Sequence, residues 1–286
     1  MKVMKTIIHP TDFSENALRA LDYAIEFSVR YGAELIVLHI SDLPTAMNSN
    51  SSSTSYTEME NERRASITEQ LKKYVANPIK NTPDPIKIDF KVVFNSTIID
   101  GILETINRSE ADLVVVGTKG RSKLRELIVG STTKALISKA FCPVLAVPSE
   151  AEFKGFEHII YASDFNPNDL EVIHRTTDVA QKHDAAVSVL HISKEEPGKD
   201  SDAAAFKQWL TEVVQYPKIK FEALVSEQVP PALAGYVSEN DADLVVFFEK
   251  ENSFIRGIFH RGTVKHFVDH AATVPLMSFN SHSIRK

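Results

Sequence analysis

The sequence predicts an α/β protein of two tandem doubly wound domains, each a five-stranded parallel sheet of order 3-2-1-4-5 flanked by helices. Three observations carry that expectation. Short runs rich in Val, Ile and Leu alternate with longer stretches of helical period, as expected of strands buried on both faces between helices. The same order of signals is written twice along the chain. The length of 286 residues suits two domains better than one, at about 100–200 residues per domain.

In the first copy the strands fall at 4–10, 33–40, 87–94, 111–117 and 143–148. The helix after the first strand is the clearest. Ser14 is a natural N-cap, Ala17, Leu18, Leu21, Ala24, Ile25 and Val29 share one face, and Gly32 stands at its end. In the second copy the matching helix is expected to start at Asn166, with Pro167 in its first turn.

The repeat is exact enough to align. KTIIHPTDFS opens the first copy and EHIIYASDFN the second, and Asp12 stands as far from Asp164 as His39 does from His191. ADLVVVG pairs with ADLVVFF, and the Cys142-Pro143-Val144-Leu145 strand with Val274-Pro275-Leu276-Met277. Polar and glycine signals in Pro148 to Gly155 place the boundary near 150, giving domains 1–150 and 151–286. The first copy is the longer, and its excess points to Asn48–Ser55, NSNSSSTS, which has no apolar surface to bury. That segment reads as a flexible loop, either a surface insertion or a lid.

Composition removes several classes. Hydrophobic residues make up 43% and charged residues 24%, as in ordinary globular chains. A net charge of −6 argues against a broad nucleic-acid-binding surface. No apolar run approaches the ~18 residues of a membrane span. The start of the chain lacks the apolar core of a signal peptide, and the single cysteine, Cys142, fits a reducing compartment. The expected location is the cytoplasm.

The chemistry gathers after the fourth strand, where Gly117-Thr-Lys-Gly120, nine residues and Gly130-Ser131 spell G-x2-G-x9-G-S. Glycines allow a backbone to approach an anion closely, and a helix start offers unpaired N–H groups. Ser131 and Thr132 add hydroxyls, and Lys119, Arg121, Lys123 and Arg125 bring positive charge. Such a loop can also be a plain turn. Here it follows an apolar strand, precedes a helix and comes with Asp12, just after the first strand. In the doubly wound order these two loops face one crevice. Asp12 can accept from a ribose hydroxyl or an adenine amino group, or cap a turn, or do both.

HPTDFSENA, ADLVVVGTKGRSKLRELIVGST and FCPVLAVP together resemble the universal stress protein family, whose ATP-binding members show this glycine signature. The resemblance covers most of 4–148 and, more loosely, 156–279. It implies that Asp12 and the backbone of Ile40 hold the adenosine, with Pro10 and Thr11 in the same loop. It further implies Gly117 near the ribose, and Gly120, Arg121, Gly130, Ser131 and Thr132 along the phosphates. Mg2+ or Mn2+ would ride on those phosphates, since no carboxylate cluster would bind a metal unaided. The resemblance also makes the fifth strands a pairing edge, so the chain is expected to be an internal pseudo-dimer, with further homodimerisation left open.

The second copy departs at the loop. Phe248 and Glu251 stand where Gly117 and Gly120 stand, Glu249 adds negative charge, and only Gly262-Thr263 survives of the signature. One nucleotide per chain is expected, in the first half. Cys142 reads as a buried structural thiol and His260, His266 and His270 as a solvated face, while His39 and His191 repeat at strand ends. His9 lies in the first crevice loop and is a candidate ligand contact. No P-loop, nucleophile elbow or kinase set is present, and no catalytic base can be named. The resulting expectation is a non-catalytic, ATP-binding stress-response regulator acting on an unknown protein partner. The alternatives are a weak ATP hydrolase or phosphotransferase and a nucleotide-free scaffold.

Overall fold

The computed structural model describes residues 4–42, 53–82, 84–118, 130–165, 167–195, 202–250 and 273–284. In chain order the first half contains β1 (Thr6–Pro10), α1 (Glu15–Tyr31), β2 (Glu34–Ser41), α2 (Ser53–Ala76), β3 (Ile88–Phe94), α3 (Ile98–Arg108), β4 (Leu113–Gly117), α4 (Ser131–Lys139) and β5 (Val144–Val147). The second contains β6 (His158–Ser163), α5 (Asp169–His183), β7 (Ala186–Ser193), α6 (Asp202–Val213), β8 (Ile219–Val225), α7 (Val229–Glu239), β9 (Leu244–Glu249) and β10 (Leu276–Asn280).

All strands join one ten-stranded sheet of order β3-β2-β1-β4-β5-β10-β9-β6-β7-β8. Read from its own first strand, each half has the order 3-2-1-4-5, and its strands are parallel. The fifth strands β5 and β10 meet antiparallel, Leu276 opposite Ala146 and Met277 opposite Leu145. Each strand follows a proline, Pro143 or Pro275, and a strand that could have been an exposed apolar edge is covered by its counterpart.

Alternation along the strands divides the core between the two faces of the sheet. Ile7, Leu113 and Val115 lie in one apolar cluster with Leu21, Phe27 and Leu71, while Ile8, Val114 and Val116 lie in the other with Ile102 and Leu136. Both clusters run on into the second half, to Tyr161 and Phe279 on one face and Val237 and Leu276 on the other. Behind the sheet α1 also meets α5. Arg30 Nη1 donates to the Lys182 carbonyl at 3.1 Å, and His183 sits among Phe27, Phe153 and Phe156. Burial, and then the positive Arg30, lower the pKa of His183 to about 4, so its ring is neutral at pH 7.

α1 begins and ends as its sequence requires. Ser14 accepts from the Ala17 N–H at 3.2 Å, and Gly32 closes the helix at φ 64°. Its counterpart corrects the expectation for Pro167, since α5 starts only at Asp169, with Asn168 ahead of it and no side-chain cap, while Asn166 lies outside the described residues. The Ser-rich segment is also corrected in part. Backbone from Ser53 onward already belongs to α2, a helix of 24 residues anchored by Ile67, Leu71 and Val75. Tertiary anchoring of one end lets a helix extend through residues of modest propensity. Residues 48–52 lie outside the described part.

Candidate functional site

Both halves make the same turn after their first strand. Thr11 Oγ1 accepts from the Phe13 N–H at 3.0 Å, and Ser163 Oγ accepts from the Phe165 N–H at 3.2 Å. Phe13 and Phe165 take left-handed φ values of 61° and 58°, a strain of roughly 1–3 kcal/mol each. Their rings cover the histidines at the ends of the second strands, Phe13 against His39 at 4.8 Å and Phe165 stacked on His191 at 3.8 Å. Each histidine then donates from Nδ1 to the turn, His39 to the Thr11 carbonyl at 2.8 Å and His191 to the Ser163 carbonyl at 3.0 Å. The recurrence of His39 and His191 is thereby explained as a clamp on the crevice loop.

In the first half this turn borders a cavity of about 330 Å³ at the carboxyl ends of the strands. Pro10, Thr11, Asp12, Ile40, Gly117, Gly130, Ser131 and Thr132 all line it. Gly120 and Arg121 lie outside the described residues, as do Lys119, Lys123 and Arg125. Leu38, Ile98, Ile102, Val116 and Ala17 add an apolar wall that sequence reasoning missed. Ile98 is the most telling of these, because it is 56% exposed at the start of α3. Beside it Gly101 packs against Ile40, whose Cδ1 would be 2.9 Å from a Cβ at 101. Asp12 is the only charged residue among the described lining. Its Oδ1 accepts from the Ser14 N–H at 3.0 Å, so it does hold its own turn.

The two described glycines of the signature have different reasons to be glycine. A Cβ at Gly117 would lie 2.8 Å from the Asn16 carbonyl oxygen, so α1 can start against the end of β4 only if no side chain stands there. Gly130 has φ −62° and ψ 159° and would hold a Cβ in ordinary contact, 3.4 Å from the Thr118 oxygen. Its backbone N–H donates to that oxygen at 2.5 Å, and Thr133 Oγ1 donates to the Gly117 carbonyl at 2.9 Å, fixing the start of α4 to the end of β4. Among the described residues, neither strain nor crowding demands a glycine at 130. What its missing side chain does is leave the first turn of α4 uncapped and open to the cavity.

His9, only a candidate contact by its place in the chain, stands apart from the cavity. It is fully buried and does not line the cavity. Nδ1 donates to the Val115 carbonyl at 3.0 Å, which leaves Nε2 to accept from the Tyr74 hydroxyl at 3.2 Å. Burial dominates and lowers its pKa to about 4 in spite of the Val115 carbonyl and Asp12, so His9 is a neutral wedge joining β1, β4 and α2. Cys142 is buried at the entry to β5. His260, His266 and His270 lie outside the described residues.

In the second half, described counterparts of the cavity-lining positions are packed into the core or paired. Phe248 at the position of Gly117 is 8% exposed and belongs to the core. Asp169 replaces the cavity-lining Ala17 and is 1% exposed, accepting from the Tyr161 hydroxyl at 2.8 Å and Ser163 Oγ at 2.5 Å. Burial beside that carboxylate raises the Tyr161 pKa well above its ordinary value. Asp164, the counterpart of Asp12, is paired with Lys250 at 2.8 Å. Glu249 is buried at the end of β9.

Fold and repeat agree with one class, a tandem pair of doubly wound α/β domains. The sequence profile of the universal stress protein family matches residues 4–148 and again 155–279, so the chain belongs to that family. A universal stress protein of Methanocaldococcus jannaschii is 33% identical over 162 residues, covering 51% of this chain and 97% of that protein. The crystal structure of a universal stress protein from Archaeoglobus fulgidus superposes with a TM-score of 0.66 at 17% identity, over 96% of this chain and 98% of that one. A universal stress protein structure from Pseudomonas aeruginosa gives 0.59 at 13% identity, over 98% and 95%. These two share the fold. Among the described residues no helix is long and apolar enough to cross a membrane.

Proposed function

We propose that this chain is an adenine-nucleotide-binding stress-response regulator that holds one ATP, in the crevice of residues 1–150. The observation that carries the reading is Gly130, a glycine that neither its backbone angles nor a described neighbour requires, at a helix start without a side-chain cap that borders the cavity. A volume of about 330 Å³ falls within the roughly 300–1,000 Å³ typical of small-molecule sites. In this reading the adenosine lies between Asp12, the Ile40 backbone and the apolar wall of Ile98 and Ile102. The phosphates meet the amides and hydroxyls of Ser131 and Thr132, together with Gly120 and Arg121. The donor set suits phosphate oxygens, since N–H and O–H donors and a helix dipole all favour an anion. Mg2+ or Mn2+ would be carried by the phosphates.

The residues 151–286 bind no nucleotide in this reading and act as the first half's built-in partner across β5 and β10. Occupancy alters what the pair presents to another protein, and turnover is not required. Calorimetric titration of the full chain with ATP and Mg2+ tests this. The expected result is saturable binding at one site per chain, lost in Gly130→Asp. A stoichiometry of two, or affinity unchanged by the substitution, would refute it.

A further inference from the structure

α4 has one end in the cavity and the other against the second half. Ser131 and Thr132 line the cavity, and the helix runs out at Lys139. A helix leaves its last carbonyls without partners inside the helix. Here Asn280, at the end of β10, supplies the donor: Nδ2 donates to the Ile137 carbonyl at 2.8 Å and to the Ala140 carbonyl at 3.1 Å. Its Oδ1 accepts from the N–H groups of His282 and Ser283, each at 2.9 Å. One side-chain amide thus ties the end of α4 to the turn after β10. Asn280 is 3% exposed, so water offers no ready substitute for these bonds. The turn is also held from behind, where Arg175 of α5 donates to the Ser283 carbonyl at 3.2 Å and His282 packs on Phe141.

This lock is not repeated by the two-fold logic of the chain. The position matching Asn280 in the first half is Pro148, which has neither a side-chain donor nor an N–H. The second half therefore grips α4, and Pro148 cannot return the grip. The helix so held is the one whose start is uncapped and faces the cavity.

We propose that Asn280 is a positioning residue for the nucleotide site, and that α4 couples occupancy of the cavity to the turn after β10. The proposal rests on the reading that phosphates dock at the start of α4. A nine-residue helix is a rod about 13 Å long at ~1.5 Å per residue, and its ladder of backbone bonds resists stretching. A tilt or slide at one end therefore reaches the other. Coupling of this kind is reciprocal: fixing the far end favours the bound nucleotide, and the bound nucleotide tightens the Asn280 bonds.

The test uses the full chain. Wild type is first titrated with ATP and Mg2+, then its hydrogen exchange is compared with and without ATP. Asn280→Ala and Asn280→Asp are titrated alongside. Aspartate keeps the acceptor for His282 and Ser283 but donates nothing to α4. The expected results are ATP-dependent protection of residues 276–284, and a loss of affinity of about tenfold in both variants, inside the range of ordinary coupling. Purely structural stapling predicts no ATP-dependent protection in wild type. Binding to wild type without that protection, or Asn280→Asp binding as tightly as wild type, overturns the coupling alone. Absence of ATP binding to wild type overturns both the coupling and the reading beneath it.

Discussion

The two crevices begin from the same turn and differ by what stands at the end of the fourth strand. In the first half Gly117 lets α1 start at Glu15, with the Asn16 carbonyl where a Cβ would otherwise be. In the second, Phe248 occupies that position within the core, and α5 starts two places later in the repeat, at Asp169. The later helix start goes with the ring, as expected where a carbonyl and an aromatic side chain would compete for one space. The shorter helix start also accompanies a neighbourhood in which Asp169 is a buried acceptor for Tyr161 and Ser163. An open cavity and a packed side chain are here two outcomes of one backbone plan.

The largest expected effect comes from making the first half resemble the second. Gly117→Phe should abolish ATP binding and also destabilise the chain, by about 1–3 kcal/mol as overpacking usually does, since Asn16 has nowhere to go without unwinding the start of α1. Thermal denaturation should show a lowered midpoint before any nucleotide is added. An unchanged midpoint would mean that the glycine serves the ligand alone.

Next in size is the separation of stability from binding at Gly130. Asp is a good N-cap and its charge suits a helix start. Gly130→Asp should therefore leave the apo protein as stable or a few tenths of a kcal/mol more stable, while ATP binding disappears. Loss of stability together with binding would return Gly130 to the role of a structural turn.

How much of this was legible beforehand differs from element to element for physical reasons. The strands and α1 could be read because apolar runs, Ser14 and Gly32 are local signals that local structure obeys. Pairing of β5 with β10 followed from two apolar strands of the same kind, each needing a cover. The start of α5 misled because Asn166-Pro167 is only a local signal, whereas the observed start at Asp169 goes with Phe248 standing at the position of Gly117. The role of His9 stayed open because sequence shows only its place beside the crevice loop, whereas its partners Val115 and Tyr74 come from β4 and α2. The apolar wall of Ile98 and Ile102 went unseen since a helical period tells which residues share a face but not what that face meets. The tie from Asn280 to α4 went unseen because those two bonds join positions more than a hundred residues apart.

A difference in acid sensitivity should follow from the strand position occupied by His9 in one half and Tyr161 in the other. His9 has a folded pKa of about 4 against 6.5 when free, so the unfolded state binds its proton first as pH falls. Stability linked to His9 is complete above about pH 6.5 and declines as pH drops toward 4, while Tyr161 stays neutral throughout that window. His183, with a similar depression, weakens the contact between α1 and α5 over the same range. Hydrogen exchange corrected for intrinsic rates should show β1 losing protection ahead of β6 between pH 6.5 and 4. Equal loss in both strands would place the acid sensitivity in the shared contact at His183.

The smallest effect is expected at the Asp164–Lys250 pair, and it decides whether charge or shape closes the second crevice. The side chains are 60% and 40% exposed, and pairs so exposed contribute about 0–1 kcal/mol. Lys250→Ala should thus barely move the thermal midpoint. It frees Asp164 to act as Asp12 does in the first half, yet Phe248 still fills the place of Gly117 and α5 still starts late. Calorimetry on the variant should accordingly keep one ATP per chain. If a second site appeared, the occupied carboxylate rather than the buried ring would be what excludes nucleotide, and the contrast between glycine and phenylalanine would lose its standing as the cause.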